Sequence, residues 1–510
     1  MSPSAASRAS RRRSWIALAA FVAALALQPS VAAHVGSPDV FLDGLAGPYR
    51  LFVTVRPPYA IPGVADVGIL TTADDVRDVH IVPLPLSGPG AQFAPVADRA
   101  ARSPGDPRSF TGHLWMMTAG AWQVRVTVDG DRGTGTLSIP VPTFPQSTLA
   151  MNHGLRVVLF VLMFLLAAGF VGIASAMARE ARLEPGVAVD RRARRRGWIV
   201  GAVSACVVGG IVFLGNWWWT VEASNYARYV YKPLQATPTV TRDARLRLEL
   251  HDPGWIASRH LNDFVPDHGH LMHLFLVPPA LDRLWHLHPD EITTGTFEQR
   301  LPNLPQGQYE LFADLVHATG VSETVTGRLE TASIHGVPLQ GDDSAWTEPA
   351  VRLKPDTTGE ETKRSSTIGG TGTASVVSDS SRTPDGGRIV WVRDAHPLTP
   401  KRLTMFTFRV EDADGQPAGD LELYMGMPGH AIFLRRDRRV FAHVHPSGSA
   451  PMAALDIAMP STRPHAQHGA GLPATVSFPY GFPEPGDYRI FVQVKRPGRV
   501  VTGVFDAHVE

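Results

Sequence analysis

Histidines at a fixed, repeated spacing are the residues of this sequence best suited to chemistry. A histidine followed 13 and 15 residues later by two more occurs twice, as His273, His286 and His288 and as His430, His443 and His445. Three neutral imidazoles close together can ligate zinc or copper, whereas three protonated ones would repel each other. The spacing therefore predicts two metal sites, with the second set as the main one.

The two histidine sets belong to a longer internal repeat. Each set is followed by a Gly-x-Tyr segment, at 307–312 and 486–491, and then by a Thr-Gly pair. Because side chains alternate along a strand, both histidines of a His-x-His segment face the same side of a sheet. A hairpin turn centred on Asp437 would place His430 opposite His443 or His445, depending on register.

Further thioether and imidazole ligands lie close to the same histidines. Met425 and Met427 come just before His430, while His268 and His270 come just before His273. Thioethers favour Cu(I), and imidazoles suit Cu(II) or zinc. A mixed set of His and Met ligands predicts copper as the bound metal ahead of zinc.

A structural role is the alternative for these histidines. Paired histidines on a β face can be hydrogen-bonded core residues, and methionines commonly fill gaps in a core. On this interpretation the chain is a structural or interaction protein of the cell envelope, and it binds no metal.

The N-terminus has the pattern of an export signal. Basic residues precede an apolar stretch at 15–27, and small residues around Ala33 suit a signal peptidase. We therefore interpret 1–33 as a signal peptide. Cleavage after Ala33 would make His34 the first residue, where its α-amine and ring nitrogen together could chelate Cu(II). His34 is thus a further candidate metal ligand.

Two apolar segments, 155–178 and 198–219, are long enough to cross a bilayer. The loop between them, 179–197, carries seven Arg against three acidic residues, and the positive-inside rule makes it cytoplasmic. The long flanking regions then lie on the outer side. We predict a bacterial inner-membrane protein whose remaining domains face the periplasm or the cell exterior.

The rest of the chain is typical of small β domains. Alternating apolar segments separated by Pro, Gly and Asp turns predict a mainly β fold of three immunoglobulin-like β-sandwich modules joined to a two-helix transmembrane hairpin. The expected modules are 34–148, 236–337 and 387–510. A Ser-, Thr- and Gly-rich stretch at 338–386 reads as a flexible linker.

The third module resembles the exported bacterial YtkA-like domains. The resemblance rests on Gly429-His430, on His443-Val444-His445-Pro446 and on Pro485-Gly486-Asp487-Tyr488. The second module is similar to a divergent copy, and the first resembles YtkA-like and CopC-like domains more loosely. The resemblance implies small immunoglobulin-like sandwiches associated with copper handling, and periplasmic copper-handling proteins as partners.

Composition narrows the classes of function further. A net charge of +1 gives no support to nucleic-acid binding, and a single Cys excludes a disulfide framework or an iron–sulfur site. No nucleophile elbow, His-Glu-x-x-His motif or phosphate loop is present in the sequence. We therefore predict a membrane-anchored protein that binds, buffers or transfers copper and is not an enzyme.

Overall fold

The computed structural model describes residues 38–184, 186–255, 259–348, 379–393, 396–460 and 471–510. The expected signal peptide and His34 lie outside these residues. Over the described residues the fold is mainly β, with three α-helices. We refer to the three β regions as module 1 (residues 38–148), module 2 (235–348) and module 3 (379–510).

Module 1 consists of two sheets around one apolar core. Its strands are β1 (Val40–Ala46), β2 (Tyr49–Arg56), β3 (Gly63–Thr71), β4 (Val76–Pro85), β5 (Asp98–Arg99), β6 (Ala101–Arg102), β7 (Ser109–Met116), β8 (Gly120–Gly130) and β9 (Gly133–Thr143). The sheet orders are β1-β2-β3-β7-β6 and β5-β4-β8-β9. Alternation in strands such as β3, where Ala65, Val67 and Ile69 are buried, directs one face of each sheet to this core.

Two long helices, α1 (His153–Glu180) and α2 (Arg191–Ala227), follow module 1 and are long and apolar enough to cross a membrane. They are packed against each other where the Ser175 hydroxyl donates to the Gly197 carbonyl at 3.0 Å. The helix α2 begins inside the expected loop, because the Asp190 side chain caps it by accepting from the Ala193 amide. The connection between the helices is therefore shorter than the sequence suggested.

Module 2 forms one continuous nine-stranded sheet rather than two separate ones. Its strands are β10 (Gln235–Val240), β11 (Arg245–His251), β12 (Met272–Val277), β13 (Arg283–Leu287), β14 (Asp290–Thr293), β15 (Thr296–Arg300), β16 (Gly307–Val316), β17 (Ser322–Thr331) and β18 (Ser344–Thr347). The order is β14-β15-β11-β10-β17-β16-β12-β13-β18. β10 joins the two halves because it pairs with β11 on one side and, through Gln235 and Thr326, with β17 on the other.

Module 3 has two four-stranded sheets and a short helix. Its elements are β19 (Ser380–Arg382), β20 (Arg388–Val392), β21 (Thr404–Glu411), β22 (His430–Arg435), β23 (Phe441–Val444), α3 (Met452–Ala458), β24 (Thr475–Tyr480), β25 (Gly486–Arg496) and β26 (Arg499–Val509). The sheets are β19-β20-β21-β24 and β23-β22-β25-β26, with one apolar core between them.

The predicted bounds of the linker, 338–386, are wrong at both ends. The strand β18 pairs with β13 in module 2, and β19 pairs with β20 in module 3. Their sequences, Ser-Ala-Trp-Thr and Ser-Ser-Arg, are too short for alternation to reveal them. Only backbone pairing with a strand already in place makes them part of the sheets. Residues 349–378 lie outside the described structure.

Modules 2 and 3 pack face to face through the sheets that carry the histidines. Alternate side chains of β12 enter the core of module 2, while Phe275 and Val277 face the other way. In β22 the same alternation sends Ile432 and Leu434 toward module 2. Both faces of these strands are therefore buried, which explains their apolar runs, 274–277 and 431–434.

Module 1 packs against module 3. Phe41 of β1 is buried in the core of module 3, and its carbonyl accepts a hydrogen bond from the Ser449 amide at 2.9 Å. Gly448 permits this contact, since a Cβ there would lie 1.9 Å from the Phe41 oxygen. In return, Leu455 of α3 is buried in the core of module 1. The described parts of the three modules thus form one body.

Phe441→Ala tests the packing of modules 2 and 3. Phe441 of β23 stacks on Phe312 of β16 with ring centroids 4.5 Å apart and planes within 2°. We expect the substitution to lower the free energy of unfolding by about 3–5 kcal/mol, because a buried aromatic ring is lost. Thermal unfolding of the full chain in detergent with a metal chelator measures the effect.

Phe93→Ala is the matched control, since Phe93 is 71% exposed. It should leave the melting temperature nearly unchanged. Equal melting temperatures for the Phe441 and Phe93 variants would contradict the face-to-face packing of the two modules.

Candidate metal centre

The predicted histidines lie in the interface between modules 2 and 3, next to the apolar contact. His273 has the same strand parity as Phe275, so it points out of the core of module 2 and toward module 3. His430 is related in the same way to Ile432. His273 is 2% exposed and His430 fully buried, so neither is on the solvent-facing surface.

The two hairpins have equivalent registers, which resolves the alternative left by the sequence. In β22 and β23, Ala431 pairs with Val444, which places His445 directly across from His430. In β12 and β13, Leu274 pairs with Leu287, which places His288 directly across from His273. In both modules the middle histidine lies two residues before the last one, and it contacts the first ring diagonally.

Matching turns precede the two sets. Asp267 and His270 close one turn through paired backbone hydrogen bonds, and Tyr424 and Met427 close the other. The second turn residue has positive φ in both, 54° at His268 and 50° at Met425. Met425 therefore occupies the position that His268 occupies in module 2. Both predicted methionines are buried in this turn, and ligation through their sulfur atoms stays a prediction.

The Nδ1 of His273 and the Nε2 of His286 face each other at 3.3 Å. The Nε2 of His273 lies 3.1 Å from the Asp267 carbonyl, which can only accept, so this nitrogen carries the proton. The Nδ1 of His286 donates to the Gln493 amide oxygen at 2.9 Å. The nitrogens that face each other, Nδ1 of His273 and Nε2 of His286, therefore both present lone pairs.

A second opposed pair occurs in module 3. His430 Nδ1 lies 3.0 Å from His443 Nε2, and His430 Nε2 lies 3.1 Å from the Tyr424 carbonyl. His443 Nδ1 lies 3.4 Å from a carboxylate oxygen of Asp314. An ionised Asp314 at this distance favours the proton on Nδ1, and the two facing nitrogens then again present lone pairs.

Each middle histidine is oriented by the opposite module. Gln493, which holds His286 of module 2, belongs to β25 of module 3 and pairs with His430. Asp314, which holds His443 of module 3, belongs to β16 of module 2 and pairs with His273. This reciprocal exchange makes the geometry of each histidine set depend on the docking of the two modules.

Protonation of the opposed pairs is unfavourable. Burial, followed by the charges of neighbouring histidines, lowers the pKa of His273, His286 and His443 well below the usual value of 6.5. The pKa of His430 is lowered well below that value by the same two causes. A proton therefore cannot readily bridge the facing nitrogens near neutral pH.

His288 offers a ring nitrogen with no partner in the described structure. Its Nδ1 lies 3.0 Å from an Asp343 carboxylate oxygen, whereas its buried Nε2 has no hydrogen bond. Such a carboxylate fixes the tautomer and orientation of a ligating imidazole. With Nδ1 donating to Asp343, the Nε2 lone pair is available to a cation.

The described residues contain two groups whose nitrogens all lie within 4.8 Å of one another. One is the predicted set of His273, His286 and His288. The other joins His430 and His445 with His268, whose Nε2 is 3.2 Å from His445 Nε2. His268 belongs to module 2, so this second group spans both modules, with His443 directly beside it.

A cavity of about 180 Å³ reaches the histidines from the junction of the three modules. His273, His443 and His445 line it together with the carboxylates of Asp267 and Asp314. The cavity therefore leaves space for a small cation beside these three histidines.

Several residues of the site were not identified as functional from the sequence. Asp342, Asp343 and Ser344 lie in the segment that composition assigned to a linker. Asp314 interrupts the apolar run 311–316 and Gln493 interrupts the apolar run 490–494, which is a recognisable signal of a buried polar contact. One further signal of the site is visible in the sequence. Residues 267–270 precede one histidine set in the same way that residues 424–427 precede the other.

Comparison with known proteins gives little functional information. A family model described as "Domain of unknown function (DUF8832)" matches residues 382–510, which lie within module 3. No curated protein matches the chain at a significant level.

Solved structures with some likeness are distant. A tetra-tandem repeat from the extending region of a large adhesion protein is 9% identical, over 88% of this chain and 71% of that one, with a TM-score of 0.15. Salmonella alpha-2-macroglobulin reacted with methylamine is 12% identical over 94% of this chain, with a TM-score of 0.19. The chain spans 24% of that macroglobulin. Such low TM-scores assign neither fold nor function.

Asp314→Asn tests the electrostatics of the site. Burial raises the pKa of Asp314 from 3.8 to about 7. Because this pKa is higher in the folded state, the stability it contributes is complete below the unfolded value and is lost as pH rises through about 7. In chelator, the melting temperature of the Asn variant minus that of the wild type should therefore increase over this pH range.

The exposed Asp290 supplies the control, because Asp290→Asn should show no such trend. A difference between Asp314→Asn and the wild type that does not vary with pH would contradict the raised pKa.

Proposed function

We propose that this protein is a membrane-anchored metal-binding protein that holds copper at the interface of modules 2 and 3. The opposed nitrogens of His273 and His286 carry the proposal. Two lone pairs 3.3 Å apart repel each other without a cation between them, and burial disfavours a proton there. Two imidazole nitrogens on a tetrahedral ion lie about 3.3 Å apart when each bond is about 2.0 Å long.

The surrounding donors also suit a transition metal. The unpartnered Nε2 of His288 supports a third ligand to the ion held by His273 and His286. The Asp343 carboxylate would orient His288, and the Gln493 amide would orient His286. These residues position the imidazoles and keep their second nitrogens protonated, whereas the bound ion would supply Lewis acidity or redox chemistry.

Copper is our preferred metal, and zinc is the second candidate. Imidazoles bind both ions, while the buried thioethers of Met425 and Met427 close to His430 favour copper. The proposed role is binding, buffering or transfer of the metal, with periplasmic copper-handling proteins as partners. The resemblance of module 3 to YtkA-like domains, with an immunoglobulin-like fold, agrees with this role.

The proposed location is the bacterial inner membrane, with all three modules in the periplasm or outside the cell. Two long apolar helices support membrane association, since their most apolar windows are 0% and 6% buried in the chain itself. The arginine-rich connection between them supports a cytoplasmic loop.

A structural role for the histidines is the competing proposal. It is favoured by the stacking of His286 on Phe275, with ring centroids 4.2 Å apart, and by the hydrogen bond of His286 to Gln493 of the opposite module. In that case the imidazoles would join the modules without a metal. Loss of one ring would then reduce stability equally with and without copper.

His286→Gln separates the two proposals. We expect the full chain in detergent to retain copper after desalting and to gain about 2.7 kcal/mol of stability when free copper exceeds Kd about 100-fold. The variant should lose the copper held by His273, His286 and His288. It should also lose most of the gain in stability, because only two of the three imidazoles remain to hold the ion. Elemental analysis and thermal unfolding, with copper or chelator, measure both effects.

The exposed His335 provides a control, since His335→Gln should bind as the wild type does. Folded wild-type protein that retains no copper, or a His286 variant that retains as much as the control, would contradict metal binding at this pair.

Cysteine labelling tests the proposed topology. In a Cys206→Ser background, Val187→Cys in the loop between the helices should resist a membrane-impermeant maleimide until spheroplasts are permeabilised. Ser333→Cys in module 2 should react with the reagent in intact spheroplasts. Both positions are exposed, so burial does not limit the reaction. The reverse pattern of labelling would contradict a cytoplasmic loop.

A further inference from the structure

Eight imidazoles form one continuous array between modules 2 and 3, and a single ion cannot use them all. Its members are His268, His270, His273, His286, His288, His430, His443 and His445. A transition metal in a protein site commonly takes about four such ligands. The array therefore has the capacity for more than one ion.

The two groups of nitrogen donors are in contact. The ring centroids of His268 and His273 lie 5.9 Å apart. His443, which belongs to neither group, lies 5.4 Å from His273. His286 and His430 are separated by 6.3 Å. Because the separations between groups resemble the 5.2 Å between His430 and His443 within module 3, no layer of apolar side chains divides the groups.

Module 2 supplies a direct ligand across the boundary. His268 approaches His445 with ring centroids 4.6 Å apart and His430 with ring centroids 5.2 Å apart. The equivalent position in module 3 is Met425, so the two groups are not copies of each other. One group is built from module 2 alone, whereas the other needs both modules.

The surrounding charge matches two divalent ions. Four aspartates of module 2 each lie beside one histidine of the array: Asp267 beside His268, Asp314 beside His443, Asp342 beside His270 and Asp343 beside His288. Two carboxylates thus serve each half of the array. When all four carboxylates are ionised, they offset two dications, which otherwise repel strongly at short distance in a buried site. Asp342 is also 3.5 Å from the ammonium of Lys495.

We propose that the array is one dinuclear metal centre shared by modules 2 and 3, and not two independent sites. The proposal rests on the metal binding proposed above and adds the number and proximity of the ions. One ion takes His273, His286 and His288, and the other takes His268, His430 and His445. His443 lies between the two positions.

Spin quantitation of the copper-loaded full chain tests the dinuclear centre. The protein is loaded with Cu(II) in detergent, oxidised with ferricyanide and desalted before elemental analysis and electron paramagnetic resonance. We expect about two coppers per chain and a spin count clearly below the copper content, because neighbouring Cu(II) ions couple.

Single-site variants then separate coupling from other causes of a low spin count. His288→Gln and His268→Gln each remove a ligand from a different group. Each should reduce copper to about one equivalent and restore a spin count equal to the copper content. His335→Gln should retain two coppers and the low spin count of the wild type.

The outcomes distinguish this proposal from the metal binding on which it rests. One copper per chain, or two coppers with neither spin loss nor dipolar splitting of the signal, would overturn the dinuclear centre and leave metal binding standing. Folded protein without copper would overturn both. If one variant fails to fold, the other still decides whether loss of a single ligand restores the spins.

Discussion

The face-to-face packing of two sheets is the constraint on which the site depends. It removes water from both sides of β12 and β22, so every polar group between the modules must find a partner inside the protein. Backbone carbonyls and side chains occupy one nitrogen of each central imidazole. The nitrogens left over face each other in a space where water is scarce and protonation is unfavourable. A cation is the partner that fits this arrangement.

Much of the local structure could be predicted from the sequence. The spacing of His430 and His443 predicted a hairpin with a turn near Asp437, and the chain turns there between β22 and β23. The long apolar segments predicted two helices that could cross a membrane, and α1 and α2 have that character. These features follow from periodicity and turn residues, which act over a few positions.

The docking of the modules could not be predicted in the same way. Residues 272–277 are buried throughout and are apolar apart from His273, and such a strand indicates a sheet covered on both faces. The pattern does not say what covers the second face, because that depends on residues more than 100 positions away. The placement of His268 in the group of module 3 and the role of Gln493 follow only from that docking. The two histidine sets were therefore predicted as separate, whereas their rings are contiguous.

The two repeats have diverged, so the interface between modules 2 and 3 is asymmetric. Asp314 and Gln493 occupy equivalent strand positions, as do His268 and Met425. The four carboxylates beside the array all belong to module 2, whereas the equivalent turn of module 3 contributes Tyr424 and Met427. A symmetric interface would place like charges on both sides and would repel itself without metal. In the observed asymmetry module 2 supplies the carboxylates, whereas module 3 supplies imidazoles together with Lys495, which lies 3.5 Å from Asp342. The modules can therefore pack against each other without the repulsion that facing carboxylates would cause.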